Sequence, residues 1–128
     1  MTDPISDMLA RIRNAQKALL PELTLPSSNI KHSIAAILKK EGYIGEFSVE
    51  GDKPRVLKIK LKYEGKKGVI EGMKRLSSPG LRRYAGATEF PRVLAGMGIL
   101  IVSTSQGLMT GIEAGRNKLG GELICSVW

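Results

Sequence analysis

One apolar run constrains the fold of this chain more than any other stretch: the residues from Ile99 to Val102 are all aliphatic. The run is short, rich in β-branched side chains and preceded by glycine, which favours a buried strand over a helix. Small polar residues follow it directly, and a glycine ends them. The sequence therefore predicts a core strand that presents a hydroxyl-rich loop formed by Ser103, Thr104, Ser105, Gln106 and Gly107.

This loop has two interpretations. Serine and threonine hydroxyls supply one donor and two acceptors each without adding bulk. Such groups contact phosphate and sugar oxygens, so the loop is a candidate nucleic-acid contact. The alternative is an ST turn, in which the hydroxyls bond the backbone of the loop itself. The residues of the loop leave both interpretations open.

Positive charge is concentrated in the middle of the chain. The 128 residues carry a net charge of +8, and residues 53–92 hold twelve Lys and Arg against three Asp and Glu. Residues 1–52 sum to −1 and residues 93–128 to zero. A basic field of this kind is typical of a protein that binds a polyanion. The alternative is a solvated lysine-rich face that keeps the protein soluble.

Composition and motifs argue against catalysis, metal binding and membrane insertion. One cysteine, Cys125, excludes an internal disulfide and a cysteine-based metal cage, and the one histidine, His32, is expected on a helix surface. The sequence contains no phosphate-binding glycine loop, nucleophile elbow or close carboxylate pair. It also has no recognisable secretory signal and no run near the roughly 20 apolar residues of a membrane span. We expect a soluble intracellular protein without catalytic residues, cofactor, metal or small-molecule substrate.

Apolar periodicity predicts an α+β fold in two parts. Residues 1–65 follow the pattern of helix, strand, helix, strand and strand, and the turn-rich stretch 64–68 is the best boundary candidate. Residues 66–128 predict a mixed sheet with short helices. Their elements include a strand at 69–76, a helical turn at 88–94, a short helix opened by a capping box at Thr110, and a final strand at 122–128.

The predicted strand from Arg55 to Tyr63 alternates between two faces. One face is apolar, and the other carries Lys58, Lys60 and Lys62. This pattern predicts a half-buried antiparallel strand with a lysine-lined outer face. These lysines are candidates for sequence-independent attraction of a polyanion.

Further candidate binding residues lie in the second part of the chain. A tyrosine beside arginines can stack on a base and hold a phosphate. A nearby carboxylate has two interpretations. It accepts a hydrogen bond from a base or a 2′-hydroxyl, or it acts as a brace, that is, it holds one of the arginines in place by an ion pair. The residues with these features are Ser78, Pro79, Gly80, Arg82, Arg83, Tyr84 and Glu122.

Four motifs, in order along the chain, resemble the bacterial small-subunit ribosomal protein S8 family. They are Asp-Pro-Ile-Ser-Asp-Met-Leu-Ala-Arg-Ile-Arg-Asn at 3–14, Pro-Gly-Leu-Arg-Arg-Tyr at 79–84, the strand with its Ser-Thr-Ser-Gln-Gly loop at 98–110, and Gly-Gly-Glu-Leu-Ile-Cys at 120–125. One departure affects a candidate site: Ser78 stands where the family usually has a basic residue. The phosphate contact there is then either weaker or supplied by Arg83.

The resemblance implies two small α+β subdomains packed together and direct binding to a helical stretch in the central domain of small-subunit rRNA. It implies that the C-terminal part makes the main contacts, with residues 103–107 entering the irregular core of the RNA helix. Pro79, Gly80 and Tyr84 would flank that core, and Glu122 would hold the loop or touch RNA. The implied location is the ribosome, cytoplasmic or organellar, beside neighbouring small-subunit proteins. Family members can also bind their own mRNA.

Three functions fit these features. The first is a structural protein of the small ribosomal subunit that binds rRNA and supports assembly. The second is a free-standing RNA-binding regulator of translation that uses the same surface. The third is a basic scaffold whose partner is an acidic protein.

Overall fold

The structure is a computed structural model that describes residues 3–93 and 97–128. It contains helices and antiparallel sheets, which confirms the predicted α+β class. Two compact units are present, one formed by Pro4–Ile70 and the other by Glu71–Trp128 together with Asp3. Leu94, where the predicted helical turn ends, lies outside the described residues.

The N-terminal unit has two helices and five strands. They are α1 (Pro4–Lys17), β1 (Glu22–Pro26), α2 (Asn29–Lys40), β2 (Ile44–Glu50), β3 (Val56–Leu61), β4 (Tyr63–Glu64) and β5 (Lys67–Gly68). The first three strands form an antiparallel sheet in the order β1–β3–β2, and β4 and β5 form a separate hairpin. The predicted order of helix, strand, helix, strand and strand is therefore confirmed.

Local signals explain where the two helices begin and which faces they bury. In α1 the residues at helical spacing, from Ile5 to Ile12, form one buried stripe. Helix α2 begins after Ser28, whose hydroxyl accepts a hydrogen bond from the Lys31 amide at 3.3 Å. It is followed by Gly42 at a φ of +83°, a left-handed conformation that glycine adopts readily. Side chains of the α2 face, β1 and β3 are fully or nearly fully buried: Ile34, Leu38, Leu25, Leu57 and Ile59.

The stretch that joins the units differs from the prediction. The Gln16 side chain of α1 donates to the Ile70 carbonyl at 2.9 Å and accepts from the Ile70 amide at 3.3 Å. The backbone of Ile70 thus bonds to a side chain, whereas the Val69 amide donates to the Lys62 carbonyl and the Glu71 and Gly72 amides donate to the Trp128 carbonyl. These scattered partners do not form a continuous strand over residues 69–72. The strand predicted at 69–76 is therefore wrong in its first half, and β6 covers only Met73–Arg75.

The C-terminal unit is a five-stranded antiparallel sheet with one described helix. Its elements are β6 (Met73–Arg75), β7 (Tyr84–Ala85), β8 (Ile99–Thr104), β9 (Gly107–Thr110), α3 (Gly111–Arg116) and β10 (Gly121–Val127). The strand order is β6–β10–β8–β9, and β7 also pairs with β10. Each pair that the structure describes is antiparallel, where the sequence predicted a mixed sheet.

The core of this unit contains the aliphatic run of β8. Leu100 and Val102 pack with Met109 of β9 and Ala114 of α3. The predicted start of this helix at Thr110 is confirmed, because the Thr110 hydroxyl accepts from the Glu113 amide at 3.2 Å and caps α3. The helical turn predicted at 88–94 is wrong over residues 88–93, which form a turn and irregular structure.

Candidate nucleic-acid interface

Four residues on neighbouring strands of the C-terminal unit form one row across the sheet. Tyr84 of β7 lies opposite Glu122 of β10, Glu122 lies opposite Ser103 of β8, and Ser103 lies opposite Leu108 of β9. Residues that lie directly opposite in antiparallel strands point to the same face, with Cβ atoms about 4.5–5.5 Å apart. The phenol, the carboxylate and the serine hydroxyl therefore share one face of a rigid sheet.

The predicted hydroxyl loop is mostly strand. Ser103 and Thr104 end β8, Gly107 begins β9, and Thr104 pairs with Gly107. Only Ser105 and Gln106 form the turn between the two strands. Gly107 has a φ of +110°, a conformation that side chains disfavour. The result is a tight hairpin in place of an open loop.

The hydroxyls of this hairpin divide into two kinds. The Thr104 hydroxyl accepts from the Gln106 amide at 3.1 Å and donates to the Gly107 carbonyl at 2.9 Å. The ST-turn interpretation therefore holds for Thr104, which is half-buried. Among the described residues, the side chains of Ser103 and Ser105 make no hydrogen bond. Ser103 is half-buried and Ser105 is exposed, so these two hydroxyls remain available to a ligand.

The carboxylate in the row is held by an arginine. Arg82 Nη1 donates to Glu122 Oε2 at 3.0 Å, and the Glu122 side chain is only 16% exposed. The hydrogen bond to Glu122 raises the pKa of Arg82 above its ordinary value. The brace interpretation thus has a direct geometric basis in this structure. Half of the Arg82 side chain stays exposed, and it remains positively charged.

The predicted proline–glycine turn lies just before this arginine. Ser78 and Leu81 exchange both backbone hydrogen bonds, at 2.9 and 3.1 Å, with Pro79 and Gly80 between them. The turn is therefore a small hairpin whose tip is Pro79–Gly80. Leu81 beyond it is 60% exposed.

The remaining predicted residues of this segment face solvent. Tyr84 is 69% exposed, so its ring can stack on a ligand. Arg83 is also exposed, and its guanidinium makes no ion pair with any residue of the part of the chain that the structure describes. The structure thus brings Tyr84, Arg82, Glu122 and Ser103 to one end of the sheet.

Ser77 is a fully buried residue that sequence reasoning missed. Its hydroxyl accepts from the Arg83 amide at 2.8 Å and donates to the Arg83 carbonyl at 3.2 Å. In the sequence, Ser77 is indistinguishable from the turn residue Ser78. No local signal identifies it, because its partner belongs to the other side of the turn.

Gly120 and Gly121 are the second feature that sequence reasoning missed. In the sequence they belong to the motif at 120–125, and no local pattern indicates their structural role. A Cβ on Gly121 would clash with the Ser103 carbonyl oxygen, and a Cβ on Gly120 would lie 2.9 Å from the Ala85 carbonyl oxygen. The two glycines therefore let β10 approach β8 and the segment of β7 closely enough to form the row.

The lysine row of β3 in the N-terminal unit is partly neutralised. Lys58 Nζ lies 3.5 Å from a Glu22 carboxylate oxygen and 3.9 Å from one of Glu50. Lys62 Nζ donates to the Gly42 carbonyl at 3.4 Å. Lys60 is exposed and makes no ion pair within the described ranges. Of the three lysines, Lys58 therefore has the most compensated charge.

Outside this surface, the described residues offer few groups for metal binding or catalysis. Within residues 3–93 and 97–128, no three His, Cys, Asp or Glu side chains are grouped as metal ligands would be, and no helix there has the length and apolarity to cross a membrane. His32 is exposed and its ring meets the edge of the Phe47 ring at a centroid distance of 5.1 Å. Burial raises the pKa of the Cys125 thiol to about 12, so it is a poor nucleophile.

Comparison with known proteins agrees with the motifs. The family model for ribosomal protein S8 matches residues 3–128. The chain is 54% identical over 127 residues to the small ribosomal subunit protein uS8 of Mesoplasma florum, covering 99% of this chain and 98% of that protein. It is 53% identical over 128 residues to the protein of the same name from Nitratidesulfovibrio vulgaris, covering 100% and 99%. The chain therefore belongs to the ribosomal protein S8 family.

Proposed function

We propose that this protein is a structural component of the small ribosomal subunit. In this proposal its C-terminal unit binds directly to a helical stretch in the central domain of small-subunit rRNA and supports assembly of the subunit. The protein acts in the ribosome of the cytoplasm. Neighbouring small-subunit proteins are its protein partners.

The row of Tyr84, Glu122 and Ser103 is the observation that carries the proposal. One rigid face offers an exposed aromatic ring, a hydroxyl without an internal hydrogen bond among the described residues and the half-exposed guanidinium of Arg82, which donates to Glu122 through Nη1. An aromatic ring stacks on an unpaired base, a hydroxyl meets a 2′-hydroxyl or phosphate, and an arginine holds phosphate. These groups suit an RNA helix interrupted by unpaired bases better than a regular duplex.

The sheet holds the side chains of the row in fixed positions before RNA binds. Tyr84, Glu122 and Ser103 are attached to paired strands, and Thr104 closes the hairpin that carries Ser105. Little conformational entropy is then lost when RNA binds, because these groups are already held in place. Recognition in this proposal is of RNA shape and backbone.

Basic side chains outside the row supply general attraction. Neutralised phosphates release counterions, so such attraction is independent of sequence and falls with salt. Arg83 and Lys60 are exposed and make no ion pair among the described residues, which suits them to this role. Binding of the protein's own mRNA would use the same surface, since the same groups would meet the same RNA shape.

A gel-shift titration tests the proposal. Labelled central-domain rRNA and, in a parallel titration, labelled random RNA of equal length are each titrated with protein at two salt concentrations, with unlabelled random RNA as the competitor. We expect the complex with rRNA to resist the competitor, and the complex with labelled random RNA to dissociate as salt rises. Equal loss of both complexes would contradict direct specific binding.

Two further measurements separate the rivals. Co-sedimentation with small-subunit particles is expected for a ribosomal component, and its absence would favour a free-standing translational regulator. Nuclease treatment before a pull-down should release the neighbouring proteins if RNA holds them. Partners retained after nuclease would favour a scaffold for an acidic protein.

A further inference from the structure

One edge of β10 is shared by two strands that do not meet. Strand β6 pairs with Cys125–Val127, while β7 pairs with Gly121 and Glu122. Leu123 lies between these two pairings. Its carbonyl accepts from the Ser77 amide at 3.0 Å, and its amide donates to the Arg83 carbonyl at 2.8 Å.

The Ser77 hydroxyl bridges the two strands at that point. It is fully buried, and both of its hydrogen bonds go to the backbone of Arg83. Between Ser77 and Arg83 the chain leaves the sheet to form the Pro79–Gly80 turn and returns. A serine hydroxyl, which both donates and accepts, supplies the bonds that a continuous strand would otherwise make here.

The backbone of Arg83 determines the direction of its two neighbours. Arg82 reaches Glu122, and Tyr84 lies opposite Glu122 in the row. A shift at Arg83 would therefore move the guanidinium and the phenol together. Without the hydroxyl, the Arg83 amide would also lose its hydrogen-bond acceptor. A buried amide without an acceptor is unfavourable, so the backbone from Arg82 to Tyr84 would move until the amide found another partner.

We propose that Ser77 is a positioning residue for the RNA-binding face, and this inference rests on the proposed function. Ser77 touches no RNA itself. It fixes the segment Arg82–Tyr84 against Glu122, so that the ring and the guanidinium meet RNA in one arrangement. Its loss lowers the preference for the cognate site more than the general affinity for RNA.

The test uses the full chain and two RNAs, a central-domain rRNA fragment and random RNA of the same length. For Ser77→Ala we expect about a tenfold loss of affinity for the fragment, the size of one net hydrogen bond, and unchanged affinity for random RNA. The same variant should speed hydrogen exchange at the Arg83 amide. Ser77→Cys, which keeps a similar side-chain shape with a weak donor and acceptor, should give a smaller loss in the same direction.

A matched control is available on β10. Ser126 is buried in the same sheet, opposite Lys74 and Leu100, and away from the Arg82–Tyr84 segment. Ser126→Ala should therefore keep the preference of the natural protein for the fragment. An equal loss of preference in this control would mean that loosening of the whole sheet is responsible, and would overturn the role of Ser77.

The outcomes also separate this inference from the proposed function. If the natural protein binds the fragment and random RNA equally, the proposed function fails. If the natural protein prefers the fragment and a folded Ser77 variant, alanine or cysteine, prefers it as strongly, only the inference about Ser77 fails. If the alanine variant does not fold, the cysteine variant decides.

Discussion

Arg82 and Glu122 form an ion pair at 3.0 Å across the end of the C-terminal sheet, between a loop and a strand 40 residues apart in sequence. The carboxylate lies between Tyr84 and Ser103 in the row. Glu122 therefore joins the arginine segment to the hydroxyl hairpin, a role that an isolated acidic residue on the surface would not have.

A double-mutant cycle tests the brace. If Glu122 acts only by holding Arg82, then Arg82→Ala and the double variant should lose the same affinity for the rRNA fragment, and Glu122→Gln alone should lose no more than Arg82→Ala. Once Arg82 is removed, Glu122 has no guanidinium left to hold, so the two effects should not add. Effects that add fully would indicate that Glu122 accepts directly from RNA.

The serines and the threonine of the hairpin should behave differently. Replacing Ser103 and Ser105 by alanine should weaken fragment binding by about 1–3 kcal/mol for each hydrogen bond to RNA that is removed, with the midpoint of urea unfolding nearly unchanged. Thr104→Ala should instead lower the free energy of unfolding by about 1 kcal/mol, because Thr104 bonds its own turn. Gel shifts and urea unfolding check these variants. Unchanged affinity in a folded double-serine variant would contradict the role of the two serines.

Lys58 and Lys60 provide a matched pair for general attraction. Both lie on the outer face of β3, but Lys58 is close to two glutamates and Lys60 is exposed. Lys60→Gln should therefore reduce the slope of log affinity against log salt by up to about 0.7–0.9, for both RNAs, and Lys58→Gln by less. A larger change for Lys58, or a loss of preference between the two RNAs, would contradict this division.

Gly121 should not tolerate a side chain. Gly121→Ala should destabilise the protein by about 1–3 kcal/mol, the usual cost of overpacking, because its Cβ would clash with the Ser103 carbonyl. A Cβ on Gly80 would meet no atom within 4 Å, so Gly80→Ala is the control and should leave the unfolding midpoint unchanged. Equal midpoints for both variants would show that β10 can move away without cost.

Cys125 should be unreactive while the protein is folded. Burial raises the pKa of its thiol to about 12, so little thiolate exists at about pH 8. A thiol reagent should therefore modify it only after unfolding. Since the folded pKa is raised, its contribution to stability is fully present below pH 9.0 and is lost as pH rises from there towards 12. Rapid modification of the native protein would contradict the burial.

Local signals in the sequence were enough for most of the secondary structure. The stripe from Ile5 to Ile12 predicted α1, the capping box at Thr110 predicted α3, and the aliphatic run predicted β8. Each of these depends on residues a few positions apart, so one sequence contains the whole signal. The motifs of the loop and the arginine segment also predicted the residues of the candidate interface, whose role in RNA binding stays a prediction.

The register between strands that are distant in the sequence could be seen only in the tertiary structure. Register alone placed Ser103, Glu122 and Tyr84 in one row, and a side chain from α1, Gln16, took up the backbone hydrogen bonds of Ile70. Ser77 and Gly121 matter because of backbone atoms that approach them across a turn or a sheet. The sequence determined which residues form helices and strands, because those preferences are local. The packing of strands far apart in the chain decided which side chains meet, because the register of a strand depends on how its buried face fits the rest of the core.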